Sequence, residues 1–235
     1  MKEHALTLFE KERKGIRENI WSLMDVKPGD RVLDVGVGHI AYSRNKLIEM
    51  DTRLTSIDLD WSVLRKHKTA KGNSVQCNAS QIPFMDRVFV LALANFTFHE
   101  IDPALHRAVI SELCRVSKRI MIVEPDFSED PLCRRFQEIW TDSMHSVQKF
   151  EDFKTLEDWT DMIISCGVRI ASIEKFRSSV RLRGQEAMDY MKDVVDNLRE
   201  EGIQGQHIQE MEVLARDVAK KGMVFSDVNV MIGHK

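Results

Sequence analysis

Cysteine and proline are both scarce in this chain of 235 residues. The four cysteines are far apart and form no Cys-x-x-Cys pair, which argues against a disulfide framework and against a structural zinc site. Five prolines are too few for a long disordered linker. The longest apolar run, residues 88–96, is much shorter than the roughly 20 residues that cross a bilayer, so no membrane span is expected.

An excess of basic charge is also missing. The formal net charge is −3 and the isoelectric point is about 6.3, whereas proteins that wrap nucleic acid usually carry a strongly basic balance or face. The first 21 residues are too charged to contain the apolar core of a signal peptide. With 43% hydrophobic and 30% charged residues, the chain has the composition of a globular protein. We therefore expect a cytoplasmic protein whose partner is not nucleic acid.

Short apolar segments alternate with helical patterns along most of the chain. This alternation predicts an α/β fold, a Rossmann-like, doubly wound sheet of seven mostly parallel strands with helices on both faces. Two helical patterns between the last two predicted strands indicate a helical insertion there. The predicted strands cover residues 31–35, 53–57, 74–77, 88–94, 119–124, 168–175 and 224–232.

The whole chain, 1–235, is predicted to form a single domain with additions. An N-terminal segment, 1–25, contains a helical pattern over 5–24. Segments 127–154 and 176–223 are predicted to be insertions that form a substrate lid, because they follow strands at the presumed mouth of the site. The first of them shows no clear period. The second contains two amphipathic helices, whose apolar stripes suit either the core or a homodimer contact.

A glycine-bearing loop, residues 34–41, follows the first strand and precedes a helix. Gly36 and Gly38 would let the backbone turn tightly and approach a ligand, and the helix N-terminus would add free N–H groups. Asp58 ends the second strand 22 residues after Gly36, the spacing at which an acid accepts hydrogen bonds from ribose hydroxyls. Asp34 would repel a pyrophosphate but could face a positive group. The spacing alone leaves two cofactor classes open, a nicotinamide or flavin dinucleotide and S-adenosylmethionine.

Five segments in order resemble the motifs of class I S-adenosylmethionine-dependent methyltransferases, most closely the small-molecule branch that includes quinone-biosynthesis enzymes. The resemblance covers roughly residues 20–126 and, more weakly, the final strand, which it implies to be antiparallel to the rest of the sheet. The segments are VLDVGVGHIA, SIDLDWSVL, CNASQIPFMDRVF, VFVLALANFTFHEID and LHRAVISELCRVSKRIMIVEPD.

The resemblance implies a role for each matching residue, with S-adenosylmethionine as cofactor and a small molecule as methyl acceptor. The methionine part would lie beside Asp34, Gly36 and Gly38. Asp58 would bind the ribose. The adenine would be bordered by Leu59, Asn78, Ala79 and Ser80, and the reactive sulfonium by Asn95 and Phe96.

His99, just after the fourth strand, is the best candidate for a catalytic base, since its ordinary pKa is near neutrality. Glu100, Glu124 and Asp126 could bind substrate or accept a proton, and Tyr42 and His145 are weaker candidates. Three arginines after the sixth strand could meet an anionic substrate or form a solvated surface: Arg177, Arg181 and Arg183. No set of residues predicts a metal site.

Three positions depart from the family pattern. Ile40 replaces the third glycine, Val90 replaces an aspartate, and residues 117–119 replace a Pro-Gly-Gly turn. These departures leave a non-catalytic cofactor-binding protein as an alternative, and the glycine pattern leaves a nicotinamide-dependent oxidoreductase as another. The sequence does not identify the acceptor or the accepting atom.

Overall fold

A computed structural model describes residues 3–69 and 71–235. Its helices and strands alternate along the chain as the sequence predicts. The strands are β1 Arg31–Val35, β2 Arg53–Asp58, β3 Asn73–Gln76, β4 Phe89–Asn95, β5 Ser117–Pro125, β6 Arg169–Phe176, β7 Arg181–Leu182, β8 Met223–Val224 and β9 Val228–His234. The α-helices are α1 Glu3–Ser22, α2 Tyr42–Glu49, α3 Trp61–Lys66, α4 His106–Val116, α5 Pro131–Ser146, α6 Leu156–Ser165, α7 Gly184–Glu200 and α8 Gln206–Lys221.

Seven strands form the main sheet in the order β3-β2-β1-β4-β5-β9-β6. The pairs β1–β2, β1–β4, β2–β3 and β4–β5 are parallel, and one strand of the sheet is antiparallel to the rest. The predicted α/β class and the mostly parallel seven-stranded sheet are thus confirmed. Strand order reverses between β1 and β4, which is where open α/β sheets bind their ligands.

The central strands are apolar because both of their faces are covered. In β4, Leu91 to Ala94 are fully buried, and Val32 and Leu33 of β1 are equally inaccessible. A parallel sheet covered by helices on both faces selects such continuous apolar runs rather than an alternating pattern. The interior also contains Trp159 of α6, which makes an edge contact with Phe98 at 5.8 Å between ring centroids.

Contacts between residues divide the chain into two compact units. The sheet unit comprises Ile20–Glu124, Leu156–Glu174 and Asn229–Lys235. The helical unit comprises Met1–Asn19, Pro125–Thr155 and Lys175–Val228. The helical unit is built almost entirely from the N-terminal segment 1–25 and the two insertions that the sequence predicts, 127–154 and 176–223.

The helical unit has an apolar core of its own. Met191 and Leu198 of α7 and Met211 and Val218 of α8 are buried in it. The apolar stripes of these two helices therefore supply core contacts, one of the two uses that their pattern suits.

Two features of the helical unit differ from the sequence analysis. Residues 131–146, which show no clear period, form α5. The helix begins where Asp130 accepts hydrogen bonds from the N–H groups of Leu132 and Cys133; its buried side includes polar Gln137, which masks the apolar stripe. The predicted strand 224–232 is interrupted, because β8 pairs with β7 in a separate two-stranded sheet.

Within residues 3–69 and 71–235, no helix combines the length and the apolar character that crossing a bilayer requires. This agrees with the expectation from the short apolar runs of the sequence.

Candidate cofactor and catalytic site

Most of the predicted site residues lie at the carboxyl ends of neighbouring parallel strands in the sheet unit. The register pairs Val35 with Ile57 and with Ala94, so the chain segments that leave β1, β2 and β4 start at the same edge. Asp58 is paired with Gln76 of β3, two residues before Asn78. The sheet thus brings together residues that are up to 65 positions apart in the sequence, Asp34 and His99 among them.

The glycine loop approaches the loop after β4 so closely that Gly36 admits no side chain. Gly36 has a φ of +73°, and a Cβ placed there would lie 2.5 Å from Cγ2 of Thr97. The Thr97 hydroxyl donates to the carbonyl of Val35 at 2.9 Å. Thr97 was missed by the sequence analysis, although it lies within the motif that contains Asn95 and Phe96.

The loop tolerates Ile40 because the side chain points outward. Ile40 is 60% exposed. The backbone adopts the left-handed conformation at the next residue, Ala41, whose φ is +53°. Gly38, with a φ of +63°, has open space where a Cβ would be. The departure from the family pattern at Ile40 therefore changes the surface of the loop without filling the space above Gly38.

Asp58 fixes the loops that surround it and can still accept further hydrogen bonds. Its Oδ2 accepts from the N–H of Val37 at 2.9 Å, and its Oδ1 accepts from the N–H of Asp60 at 2.9 Å. A carboxylate has about four lone-pair positions, so about two stay available, the number that a pair of ribose hydroxyls needs. Asp60 itself caps α3, accepting from Ser62 at 2.7 Å.

Asp34 is fully buried beneath the glycine loop. Its Oδ2 accepts from the hydroxyl of Ser56 at 3.0 Å, and the same hydroxyl accepts from Nη1 of the buried Arg44 at 2.7 Å. Burial raises the pKa of Asp34 to about 6, while hydrogen bonds with Ser43 and Ser56 and the charge of Arg44 oppose the rise. No pattern in the sequence predicts a buried Arg44, since helical arginines usually face solvent.

Asn78 is turned toward Ser80 in this structure. Its Oδ1 accepts from both the N–H and the hydroxyl of Ser80, each at 2.9 Å. Since a carbonyl oxygen has two lone pairs, the amide offers a ligand its Nδ2 donors. Ala79 is half-buried beside it, and Leu59, the residue that follows β2, is 69% exposed.

The backbone is strained directly after β4, three residues before the candidate base His99. Phe96 has a φ of +52°, a conformation that costs a non-glycine residue free energy and that is often found at functional sites. Its N–H donates to the carbonyl of Val123 at 2.8 Å, which holds it against β5. Asn95 and Phe96 are both half-buried.

A buried carboxylate on β5 binds the predicted catalytic histidine. Nδ1 of His99 lies 2.5 Å from Oε2 of Glu124. Oε1 of Glu124 accepts from the N–H groups of Thr97 and Phe98 at 2.9 and 2.7 Å. Glu124 is fully buried, and both of its oxygens already have hydrogen-bond partners, so it is placed to orient His99 rather than to act as a solvent-exposed base.

The other candidates have different surroundings. Desolvation, foremost, raises the pKa of Glu100 although its side chain is 61% exposed; the charge of His99 opposes the rise, and those of Glu124 and Asp58 add to it. Within the helical unit, Asp126 forms an ion pair with Lys175 at 2.7 Å, and His145 contacts Asp152 at 3.0 Å. Of the three arginines, Arg181 donates to the carbonyl of Gly222 at 2.8 Å, and Arg177 and Arg183 are exposed. The side chain of Tyr42 is also exposed.

We predict that Gly36→Ala unfolds at a lower temperature than Gly38→Ala. Both substitutions force an L residue into the left-handed region, at a cost of roughly 1–2 kcal/mol, but only the first also clashes with Thr97. Adding Thr97→Ala to Gly36→Ala should recover part of the loss. Thermal unfolding of these three variants and of Thr97→Ala alone measures this coupling, and strict additivity of Gly36→Ala and Thr97→Ala would contradict the close approach.

Residues 33–120 match a family model described as a methyltransferase domain. Among curated proteins, the ubiquinone/menaquinone biosynthesis C-methyltransferase UbiE of Xanthomonas campestris is 29% identical over 144 residues, which is 56% of this chain and 52% of the relative. UbiE of Stenotrophomonas maltophilia gives the same identity and coverage. The chain thus spans about half the length of the curated relatives it matches.

Solved structures with the same fold are less similar in sequence. A Bacillus halodurans protein classed with the methyltransferases has a TM-score of 0.68 at 16% identity, covering 92% of this chain and 96% of its own. The [4+2]-cyclase SpnF has a TM-score of 0.61 at 15% identity, with 95% and 80% covered. At these identities the likeness shows the fold alone.

A third structure, phosphoethanolamine N-methyltransferase 2 of Haemonchus contortus in complex with S-adenosyl-L-methionine, has a TM-score of 0.57 at 18% identity, covering 92% of this chain and 51% of its own. The family match lies on the part of the chain that carries the glycine loop, Asp58 and His99. In its motifs and its fold, the chain is similar to class I S-adenosylmethionine-dependent methyltransferases, and its sequence is similar to those of quinone-biosynthesis enzymes.

Proposed function

We propose that the chain binds S-adenosylmethionine at the glycine loop and catalyses transfer of its methyl group to a small molecule. The observation that carries this proposal is the arrangement around Asp58, which anchors the loop through Val37 and keeps lone pairs for two hydroxyls. The close approach of Gly36 to Thr97 supports it, because it keeps the loop backbone near the end of β4.

Each residue of the site has a defined part in the proposed binding. Gly36 and Gly38 shape the loop for the methionine part, and Asp34 faces its positive amino group. Asp58 accepts from the ribose hydroxyls, while Leu59 and Ala79 border the adenine, with Asn78 and Ser80 beside them. Asn95 and Phe96 lie beneath the sulfonium.

When bound, S-adenosylmethionine supplies an electrophilic methyl group. The acceptor's electron pair forms the new bond to the methyl carbon as the carbon–sulfur bond breaks and the sulfur keeps the bonding pair. Displacement of this kind depends chiefly on alignment of the reacting atoms. A proton on the attacking atom must leave, and His99 is the residue that we propose takes it.

The proposed acceptor is a small molecule rather than nucleic acid, because the net charge of −3 offers no basic surface excess. The relatives' names specify carbon methylation in quinone biosynthesis, which makes phenols and hydroquinones the first acceptors to screen. A cytoplasmic location and a homodimer remain part of the proposal; a dimer would use exposed apolar side chains such as Val213.

The direct test is calorimetric titration with S-adenosylmethionine and, in parallel, with NADH. We expect binding of the first alone. Asp58→Ala should weaken it by roughly 10- to 100-fold, since about 1.5–3 kcal/mol accompanies hydrogen bonds to a charged group. Asp60→Ala is the matched control and should keep the affinity, because its carboxylate caps α3.

Binding of S-adenosylmethionine without transfer of labelled methyl to phenols, hydroquinones, amines or thiols would favour the non-catalytic alternative. Binding of NADH alone would favour an oxidoreductase. Equal losses in the two aspartate variants would contradict the role of Asp58.

Cofactor affinity should also depend on pH through Asp34. The pKa of this carboxyl is about 6, above the 3.8 of an ordinary aspartate, so folding favours its protonated form and its ionisation lowers stability as the pH rises from about 4 to 6. A cation binds the ionised form more tightly, so affinity should fall about tenfold between pH 7 and pH 5. Calorimetry on Asp34→Asn should show affinity nearly constant over this range; the same fall in both proteins would exclude Asp34.

We further propose that segments 127–154 and 176–223 select the acceptor. The first of them leaves the sheet directly after β5, which runs parallel to β4 and ends at the same edge. Within the helical unit, residues 127–153 also line a cleft of about 310 Å³, near the lower end of the range for small-molecule sites. Its walls include two aromatic rings, one arginine and three carboxylates: Phe127, Phe153, Arg135, Glu138, Asp142 and Asp152.

Filling this cleft should therefore change acceptor kinetics and leave cofactor binding intact. Asp142→Phe is expected to raise the KM of the acceptor at least severalfold, because the added ring occupies the space. Ser146→Phe adds a ring to an exposed position of the same helix outside the cleft and serves as the control. Steady-state kinetics with the acceptor from the screen measure the effect, and unchanged kinetics in Asp142→Phe would refute acceptor selection by the cleft.

A further inference from the structure

Arg44 is a charged side chain that the fold places in the interior of the sheet unit. It lies on α2, and only 1% of its surface is exposed. Burial lowers the pKa of its guanidinium, and the charge of Asp34 opposes that change. A buried charge is tolerated only when it is balanced and hydrogen-bonded, so the partners of Arg44 decide whether it can occupy this position.

The guanidinium of Arg44 has partners of two kinds. Nε donates to the carbonyl of His67 at 3.2 Å, and Nη1 donates to that of Asn73 at 3.4 Å. These bonds tie α2 to the residue after α3 and to the start of β3. Nη1 also donates to the hydroxyl of Ser56 on β2 at 2.7 Å. The two carbonyls hold the side chain in place, whereas the contact with Ser56 leads to the candidate site.

The contact with Ser56 sets the direction of a hydrogen-bond chain that ends at Asp34. A guanidinium can only donate, so the oxygen of Ser56 accepts from Nη1 and the single hydrogen of the hydroxyl is left to donate. That hydroxyl donates to Oδ2 of Asp34 at 3.0 Å. Two bonds of these lengths place the charge of Arg44 within about 6 Å of the carboxylate, the range in which an opposite charge favours ionisation.

From this chain we infer that Arg44 is a positioning residue for Asp34, which holds the carboxylate beneath the glycine loop through Ser56 and supplies the positive charge that balances it. The inference rests on the proposed function for its use, in which Asp34 faces the amino group of the cofactor. The chain of hydrogen bonds is a property of the protein alone. Arg44 does not contact the cofactor in this proposal and acts through Asp34.

The groups that face Asp34 act on it in opposite directions. Burial has the largest effect and raises the pKa of the carboxyl, and the like charge of Asp58 on β2 adds to the rise. Hydrogen bonding by Ser43, from α2, lowers the pKa. On β4, the residue paired with Asp34 is the apolar Leu93. Of the charges that act on this carboxyl within the described residues, Arg44 supplies the positive one, so its removal should favour protonation.

Two substitutions of Arg44 separate this role from a merely structural one. Arg44→Met keeps a long unbranched side chain and removes the charge. Arg44→Lys keeps a charge that can reach Ser56 but lacks the planar fork that binds the two carbonyls. A purely structural role would be lost in both variants, whereas the balancing charge is kept in Arg44→Lys. Arg65→Met on α3 is the control, because it removes an exposed arginine of the neighbouring helix.

The measurement is a pH titration of ligand-free protein with carbon-labelled aspartate, followed by NMR. Asp34→Asn identifies the Asp34 signal. In the unsubstituted protein the carboxyl should titrate with a pKa of about 6. Arg44→Met should raise this pKa to about 7 or higher, whereas Arg44→Lys and Arg65→Met should leave it unchanged. The same pKa in Arg44→Met as in the unsubstituted protein, or an equal rise in Arg44→Lys, would overturn the inference.

Ser56→Ala provides a second test if Arg44→Met does not fold. It removes one oxygen, interrupts the chain between Arg44 and Asp34, and leaves the guanidinium bound to the carbonyls of His67 and Asn73. We expect it to raise the pKa of Asp34, because the carboxylate loses the hydroxyl that donates to it. An unchanged pKa in Ser56→Ala would overturn the inference.

Calorimetry with S-adenosylhomocysteine connects the chain to cofactor binding. If the ionised carboxylate binds the amino group, a rise in the pKa of Asp34 from about 6 to about 7 lowers the affinity about fivefold at pH 6 and very little at pH 8. We expect this pH-dependent loss in Arg44→Met. An equal loss at both pH values would contradict the role of Arg44. Absence of binding in the unsubstituted protein would contradict the proposed function and leave the NMR result intact.

Discussion

The buried carboxylate of Glu124 is the interaction on which the site depends. One oxygen holds two successive N–H groups of the loop after β4, and the other holds the ring of His99. A buried carboxylate is stable only when its oxygens are satisfied, so the loop must keep this path. The path of the loop after β4 in turn brings Thr97 against Gly36. The glycine loop therefore lies beside the end of β4.

Most of the sheet could be predicted from the sequence because its determinants are local. The apolar runs of β1 and β4 and the turn residues between elements specify strands and their order along the chain. The polar side of α5 could not be anticipated in this way. Gln137 is buried because it bridges the backbone of Asp126 and Ser128, a tertiary contact that breaks the helical period.

The site was predictable in its residue types and less so in its contacts. The spacing of Gly36 and Asp58 indicates a nucleotide-type cofactor, and the ordered motifs narrow the cofactor to S-adenosylmethionine. Contacts between side chains on different helices and strands leave no pattern in the local sequence. The pairing of Glu124 with His99 requires the register of β4 and β5, and the buried position of Arg44 requires Ser56 of β2.

The account is tested most directly by a crystal structure with S-adenosylhomocysteine. It predicts the ribose hydroxyls within hydrogen-bonding distance of Asp58, the sulfur near Asn95 and Phe96, and an unchanged Glu124–His99 contact. A cofactor bound elsewhere, or a glycine loop separated from Thr97 with Glu124 turned away from His99, would contradict it.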